Sequence, residues 1–77
     1  MELKIMFFGR LCDVTGRDNL SLRDINDIKG LREVLHKLYP ALASMKYIIA
    51  VDKKLVEGDM LLYENNTVAL LPPFSGG

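Results

Sequence analysis

The chain has no tryptophan, one cysteine, one histidine and no excess charge of either sign, since 10 Lys and Arg residues balance 10 Asp and Glu residues. Each shortage closes off a class of function. Cys12 is alone, so no intrachain disulfide is possible, and a lone thiol fits a reducing cytosol better than a secreted mini-domain. A balanced chain with no run of like charge carries no electrostatic footprint for nucleic acid. No apolar run approaches the ~20 residues that a transmembrane helix needs. The opening Met1-Glu2-Leu3-Lys4 also lacks the basic and apolar regions of a signal peptide. The expectation is a soluble, cytoplasmic protein with no membrane and no nucleic-acid partner.

Catalytic groups are equally scarce. His36 falls among Arg32, Glu33 and Lys37, on the polar side of a helical pattern, and reads as a solvated surface histidine. Cys12 has no histidine or helix start evidently placed to activate it, and reads as a small, semi-buried hydrophobe. There is no paired-carboxylate signature and no glycine-rich phosphate loop after a strand. Lys53-Lys54 reads as a solvated turn, and no resident cofactor or metal site is expected in this chain.

What is present is a core. Of 77 residues, 49% are hydrophobic, enough for one small domain spanning 1–77, with a globular part over 1–71 and a tail over 72–77. A domain of this size buries only about 60% of the surface its unfolded chain exposes, so its stability should be modest. Leu3-Lys4-Ile5-Met6-Phe7-Phe8 alternates as a first strand with Leu3, Ile5 and Phe7 on one face. Arg10 to Thr15 can form a short helical turn, and Asn19–Arg23 alternates as a second strand, a hairpin partner of the first. Asp27 is placed to cap a helix in which Ile28, Leu31, Val34, Leu35 and Leu38 recur at helical spacing, with Pro40 ending it near Tyr39. Tyr47–Val51 is a β-branched, buried strand, Leu55-Val56 a brief return strand, and Thr67–Leu71 the last strand. Strands gathered on one long helix in the order β-β-α-β-(β)-β predict an α+β fold. It is the ubiquitin-like β-grasp, a mixed sheet of four to five strands packed on one main helix.

The tail, Pro72-Pro73-Phe74-Ser75-Gly76-Gly77, is where chemistry can reside. Two prolines directly after a strand stop sheet pairing and favour extended polyproline geometry. Gly76 and Gly77 carry no Cβ and can thread a narrow channel. Glycine at a chain end is common and uninformative alone; the strand, the double proline and Phe74 ahead of it give the pattern its meaning. A free α-carboxylate is a poor electrophile. Once activated as an acyl-adenylate, it can exchange AMP for a sulfur nucleophile and become a thiocarboxylate, which asks of its carrier only a bare, reachable terminus.

The segment Ile5-Met6-Phe7-Phe8-Gly9, the Arg10–Gly16 piece, the Ile28/Leu31/Leu35 helix, the Val51-Asp52 strand end and above all the closing 68–77 run resemble the MoaD/ThiS sulfur-carrier family, nearest its MoaD branch. The likeness covers the whole chain. It implies that Gly77 is the site of adenylation and thiocarboxylate formation, and that Pro72, Pro73, Phe74, Ser75 and Gly76 thread it into partner channels. It further implies three partners: a MoeB-type adenylating enzyme, which uses the ATP and magnesium, a sulfurtransferase, and the MoaE-type large subunit of molybdopterin synthase. The carrier would be the non-catalytic, sulfur-donating subunit in molybdenum cofactor biosynthesis, giving sulfur to cyclic pyranopterin monophosphate. Asn65-Asn66-Thr67 and Asp52 depart from the usual Gly-Asp-Glu and Asn of the family, which predicts local differences in loop shape.

Alternation also predicts a partner surface. With Leu3, Ile5 and Phe7 facing the helix, Met6 and Phe8 stand on the open face, joined by Ala69 and Leu71 from the last strand. By the resemblance, Phe8, Leu55 and Leu71 correspond to contacts with both the large subunit and the activating enzyme. Two other roles fit the same terminus: a ThiS-type carrier for thiazole synthesis, and a ubiquitin-like modifier conjugated through Gly77.

Overall fold

The computed structural model describes residues 2–73. A strand, β1 (Glu2–Phe7), leads through a short helix, α1 (Arg10–Thr15), to β2 (Asn19–Arg23). The main helix α2 (Ile28–Leu38) and a 3-10 turn (Pro40–Ser44) follow, then β3 (Ile48–Val51), β4 (Lys54–Val56) and β5 (Thr67–Leu71). The five strands form one sheet in the order β2-β1-β5-β3-β4. β1 and β5 run parallel at its centre and every other pair is antiparallel. This is the mixed sheet on one main helix, the ubiquitin-like β-grasp, that the element order predicts. The two central strands come from opposite ends of the chain, so closing the sheet brings the N-terminal segment beside the root of the tail.

Period-two alternation sets which side of the sheet is dry. Leu3, Ile5 and Phe7 of β1 and Val68 and Leu70 of β5 are buried, and register pairs Ile5 with Val68 and Phe7 with Leu70. Ile49 and Val51 of β3 continue the same layer, and Ile28, Leu31 and Leu35 of α2 press onto it. Each such side chain contributes about 1.5–3 kcal/mol by leaving water.

Helix α2 begins with all of its early amides partnered. Ile28 N donates to Met60 O at 3.0 Å, and Lys29 N to Asp59 Oδ1 at 2.9 Å. Gly30 N donates to Asp27 Oδ1 at 2.7 Å, and Leu31 N to Asp27 O at 3.0 Å. Three donors that the helix start leaves orphaned, on Ile28, Lys29 and Gly30, are thus shared between the expected Asp27 cap and the 59–60 segment, and Leu31 makes the first bond of the helix itself. Gly30 leaves the cap room, because a Cβ there would stand 3.0 Å from Asp27 Oδ1.

At the other end the stripe stops short of its expected extent. Leu38 is 51% exposed. The chain leaves the helix at Tyr39, whose ring meets Phe7 edge-on with centroids 6.1 Å apart, and the 3-10 turn then delivers Leu42 into the core. Those two residues, and not Leu38, continue the core beyond Leu35. The β3–β4 hairpin turns on Asp52 and Lys53, with φ of 49° and 71°. Two positive φ values in a two-residue loop are the geometry that suits the right-handed twist of a hairpin. Among the described residues, no helix is long and apolar enough to cross a membrane.

Candidate functional site

The open face of the sheet carries the predicted surface. Register places Met6 beside Ala69, Ala69 beside Ala50 and Ala50 beside Leu55, so one row crosses four strands. Leu71 pairs with Ile48 in the next row. Phe8 prolongs β1 past its last paired residue, its N–H donating to Leu70 O at 3.0 Å. Met6 and Phe8 are 36% and 40% exposed, while Ala69 and Leu71 are partly buried beside them. Phe8 is therefore open to a partner and is not roofed by α1.

A groove of about 440 Å³ on this face is lined by Met6, Phe8, Thr67 and Ala69 together with Asp52 and Lys53 of the β3–β4 turn. Leu55 is 60% exposed and shares the face, but borders a separate depression with Ile48, Tyr47 and Arg32. The structure thus brings Met6, Phe8, Ala69 and Leu71 together and leaves Leu55 at the far edge. Ala50, which links the two ends of the row, and Ile48, beside Leu71 in the next, were not singled out in the sequence. Tyr47–Val51 reads as one continuous apolar run, and only its period-two phase marks Ile48 and Ala50 as sharing a face.

Pro72 and Pro73 leave the sheet after β5, the first partly buried and the second exposed. Phe74, Ser75, Gly76 and Gly77 lie outside the described residues. At the root of the tail, Gly9 has φ 58° and ψ −135°, and a Cβ there would stand 3.0 Å from Pro72 Cγ. A cleft of about 310 Å³ beside the two prolines is lined by Arg10, Leu11, Met45 and Lys46 among others.

The remaining polar groups serve structure. Cys12 is partly buried and its Sγ–H donates to Phe7 O at 2.9 Å, tying α1 to the end of β1. His36 differs from the solvated residue expected of it. Its Nε2 lies 2.8 Å from Tyr47 Oη, and the two rings meet edge-on with Arg32 stacked over Tyr47. Burial raises the Tyr47 hydroxyl above its ordinary value of 10.0, and Arg32 works in the opposite direction. Among the described residues, no three His, Cys, Asp or Glu side chains converge to hold a metal ion.

The two departures from the family pattern meet each other. Asp52 Oδ1 accepts from Thr67 N at 2.9 Å, Asp52 Oδ2 accepts from Asn66 Nδ2 at 2.7 Å, and Asp52 N donates back to Thr67 O at 2.9 Å.

The chain is 27% identical over 84 residues to the molybdopterin synthase sulfur carrier subunit of Dictyostelium discoideum, covering 99% of this chain and 96% of that one. Among solved structures it is similar to a subunit in the complex of subunits 1 and 2 of the molybdopterin-converting factor from Helicobacter pylori, at 26% identity, full coverage of both chains (100% each) and a TM-score of 0.75. It shares its fold with SAMP1 from Haloferax volcanii, at 19% identity, 100% coverage of each and a TM-score of 0.82. The ThiS family model matches residues 5–77, from the first strand to the last glycine, and the chain belongs to that family of MoaD/ThiS-like sulfur carriers.

Proposed function

We propose that this protein carries sulfur on its C-terminus for molybdopterin synthesis, as the small subunit of a two-subunit synthase. The observation that carries the reading is the family match running unbroken through the Gly76-Gly77 end. The Dictyostelium relative and the two-subunit Helicobacter complex favour the molybdopterin branch.

In this reading the Gly77 carboxylate attacks the α-phosphorus of ATP in an adenylating enzyme, and pyrophosphate leaves. Sulfide freed from the persulfide of a sulfurtransferase by a thiol reductant then adds at the acyl carbon, AMP departs with its bonding pair, and a thiocarboxylate remains. That soft nucleophile gives its sulfur to the pterin precursor in the large subunit, and hydrolysis returns the carboxylate. ATP, as its magnesium complex, would be a substrate of the activating enzyme and not a ligand of this chain. The carrier's own residues provide a terminus free of side chains, an arm stiffened by Pro72 and Pro73, and an apolar face by which each partner can hold the root of that arm.

Mass spectrometry of the protein isolated from its host tests this directly. The expected species carries sulfur in place of one terminal oxygen, and deleting Gly77 or adding one residue after it abolishes that species without unfolding the domain. Sulfur transfer by the truncated chain would overturn the reading. Isopeptide adducts between Gly77 and lysines would assign it to the protein modifiers, and delivery of the sulfur to a thiazole would assign it to the other branch of the family.

A further inference from the structure

The root of the tail rests on a residue that has no side chain. Phe8 O accepts from Leu11 N at 3.2 Å, closing a turn with Gly9 at its second position, and Gly9 O accepts from Cys12 N at 3.1 Å. The φ of 58° with ψ of −135° at Gly9 is in practice open only to glycine. The Cys12 Sγ–H bond to Phe7 O secures the same turn from the helix side. Against this fixed point lies the Pro72 ring. A Cβ at position 9 would approach Pro72 Cγ to 3.0 Å, Cδ to 3.4 Å and Cβ to 4.0 Å.

We infer that Gly9 and Pro72 form a seat that sets the direction in which the tail leaves the sheet, so that both are positioning residues for the delivery of Gly77. The inference rests on the carrier reading above and extends it to residues remote from the terminus. A proline ring closes on its own backbone nitrogen and cannot swing aside as a free rotamer. Relief of a contact at Cγ is shared between the pucker of the ring and the tail backbone, and the cleft beside Pro72 and Pro73 gives that backbone room to move. Two consecutive prolines favour stiff, extended geometry, so a change of direction at Pro72 passes on to Pro73. Presenting the terminus already aimed lowers the ordering cost that each partner would otherwise meet on engagement.

The seat makes a prediction that backbone strain alone does not. Pro72→Ala removes Cγ and Cδ, the two atoms that a residue 9 Cβ would crowd, and leaves only the Cβ at 4.0 Å. The strain of a side chain at positive φ, by contrast, is the same whatever stands at position 72. Gly9→Ala is therefore measured in both backgrounds. The first readout is the free protein by NMR: cross-peaks between residue 9 and the ring of Pro72, and residual dipolar couplings of the amides beyond Pro73. The second is ATP–pyrophosphate exchange by the adenylating enzyme of the same host, with carrier concentration varied.

With Pro72 present, Gly9→Ala should shift the dipolar couplings and raise the KM for the carrier about tenfold while kcat stays within about twofold, as expected for misplacement of a positioned group. In the Pro72→Ala background the same change should alter neither couplings nor KM, although the melting temperature falls in both. An equal rise of KM in both backgrounds would overturn the seat, and so would an unchanged KM with Pro72 present. Absence of exchange with the wild-type chain, beside an intact coupling pattern, would defeat the carrier reading and leave the seat standing on the NMR result.

Discussion

The Asp52 carboxylate and the Asn66 side-chain amide meet at 2.7 Å, joining the β3–β4 turn to the residue just before β5. Its second oxygen takes the Thr67 N–H, so one exposed aspartate pins the start of the last strand. Asp52→Ala should destabilise the fold by about 1–2 kcal/mol, through the loss of two hydrogen bonds to a charged acceptor and a less tolerant residue at positive φ. Asp52→Asn keeps an acceptor for Thr67 and should cost about half as much. A double-mutant cycle with Asn66→Ala, read by urea unfolding, should give a coupling of about 0.5 kcal/mol or more, as contacting residues do. Strict additivity would show that the contact does not hold in solution.

Helix α2 offers a contrast between two leucines of one apolar stripe. Leu35 is fully buried, and Leu35→Ala should cost about 2–5 kcal/mol. Leu38 is half-exposed, and Leu38→Ala should change stability by no more than about 0.5 kcal/mol. Chemical unfolding of the two variants distinguishes the structure from an unbroken helical stripe, which would make them comparable.

Tyr47 gives an alkaline signature. Burial holds its hydroxyl above the ordinary 10.0, with Arg32 opposing, so the folded chain binds that proton more tightly than the unfolded chain. The resulting stability is fully present below the ordinary value and is lost as pH rises through the raised folded value. Tyr47→Phe should therefore flatten the decline of stability above pH 10.0 relative to the wild type, as measured by melts across that range. An identical decline in both proteins would rule the burial effect out.

Local repetition made the inner layer legible. Leu3, Ile5 and Phe7 alternate, Asp27 stands one residue ahead of an apolar helical repeat, and both patterns need only near neighbours to be read. The same alternation places Met6, Phe8, Ala69 and Leu71 on the open face. Leu55 came from family resemblance instead, and register sets it at the edge of that face. What escaped are relationships made only by closing the sheet. His36 and Tyr47 share no period, so a residue read as solvated is in fact partnered by a ring from the segment before β3. Leu38 keeps the helical phase, but Tyr39 and Leu42 continue the core instead, because Pro40 redirects the chain there. Gly9 reads as a strand terminator, and nothing near it in sequence announces Pro72.

The open face yields the last prediction. Phe8 stands one residue ahead of Gly9, is 40% exposed, and borders the groove formed with Met6, Ala69 and the β3–β4 turn. On the carrier reading, a partner that draws Gly77 into a channel would cover this region and bury Phe8. Phe8→Asp should leave the melting temperature nearly unchanged, because the side chain lies outside the core and its backbone N–H bond to Leu70 O is retained. In the complex, the new carboxylate would lie unpaired and out of water, a cost that polar burial sets at several kcal/mol. Affinity for both the large subunit and the adenylating enzyme should therefore fall at least about a hundredfold, since each 1.4 kcal/mol is tenfold. Leu55→Asp, beyond the groove, should weaken the same complexes less. Calorimetric titration of each partner, run beside a thermal melt, reads both quantities. Undiminished binding by a folded Phe8→Asp chain would show that the partners grip the tail from another face.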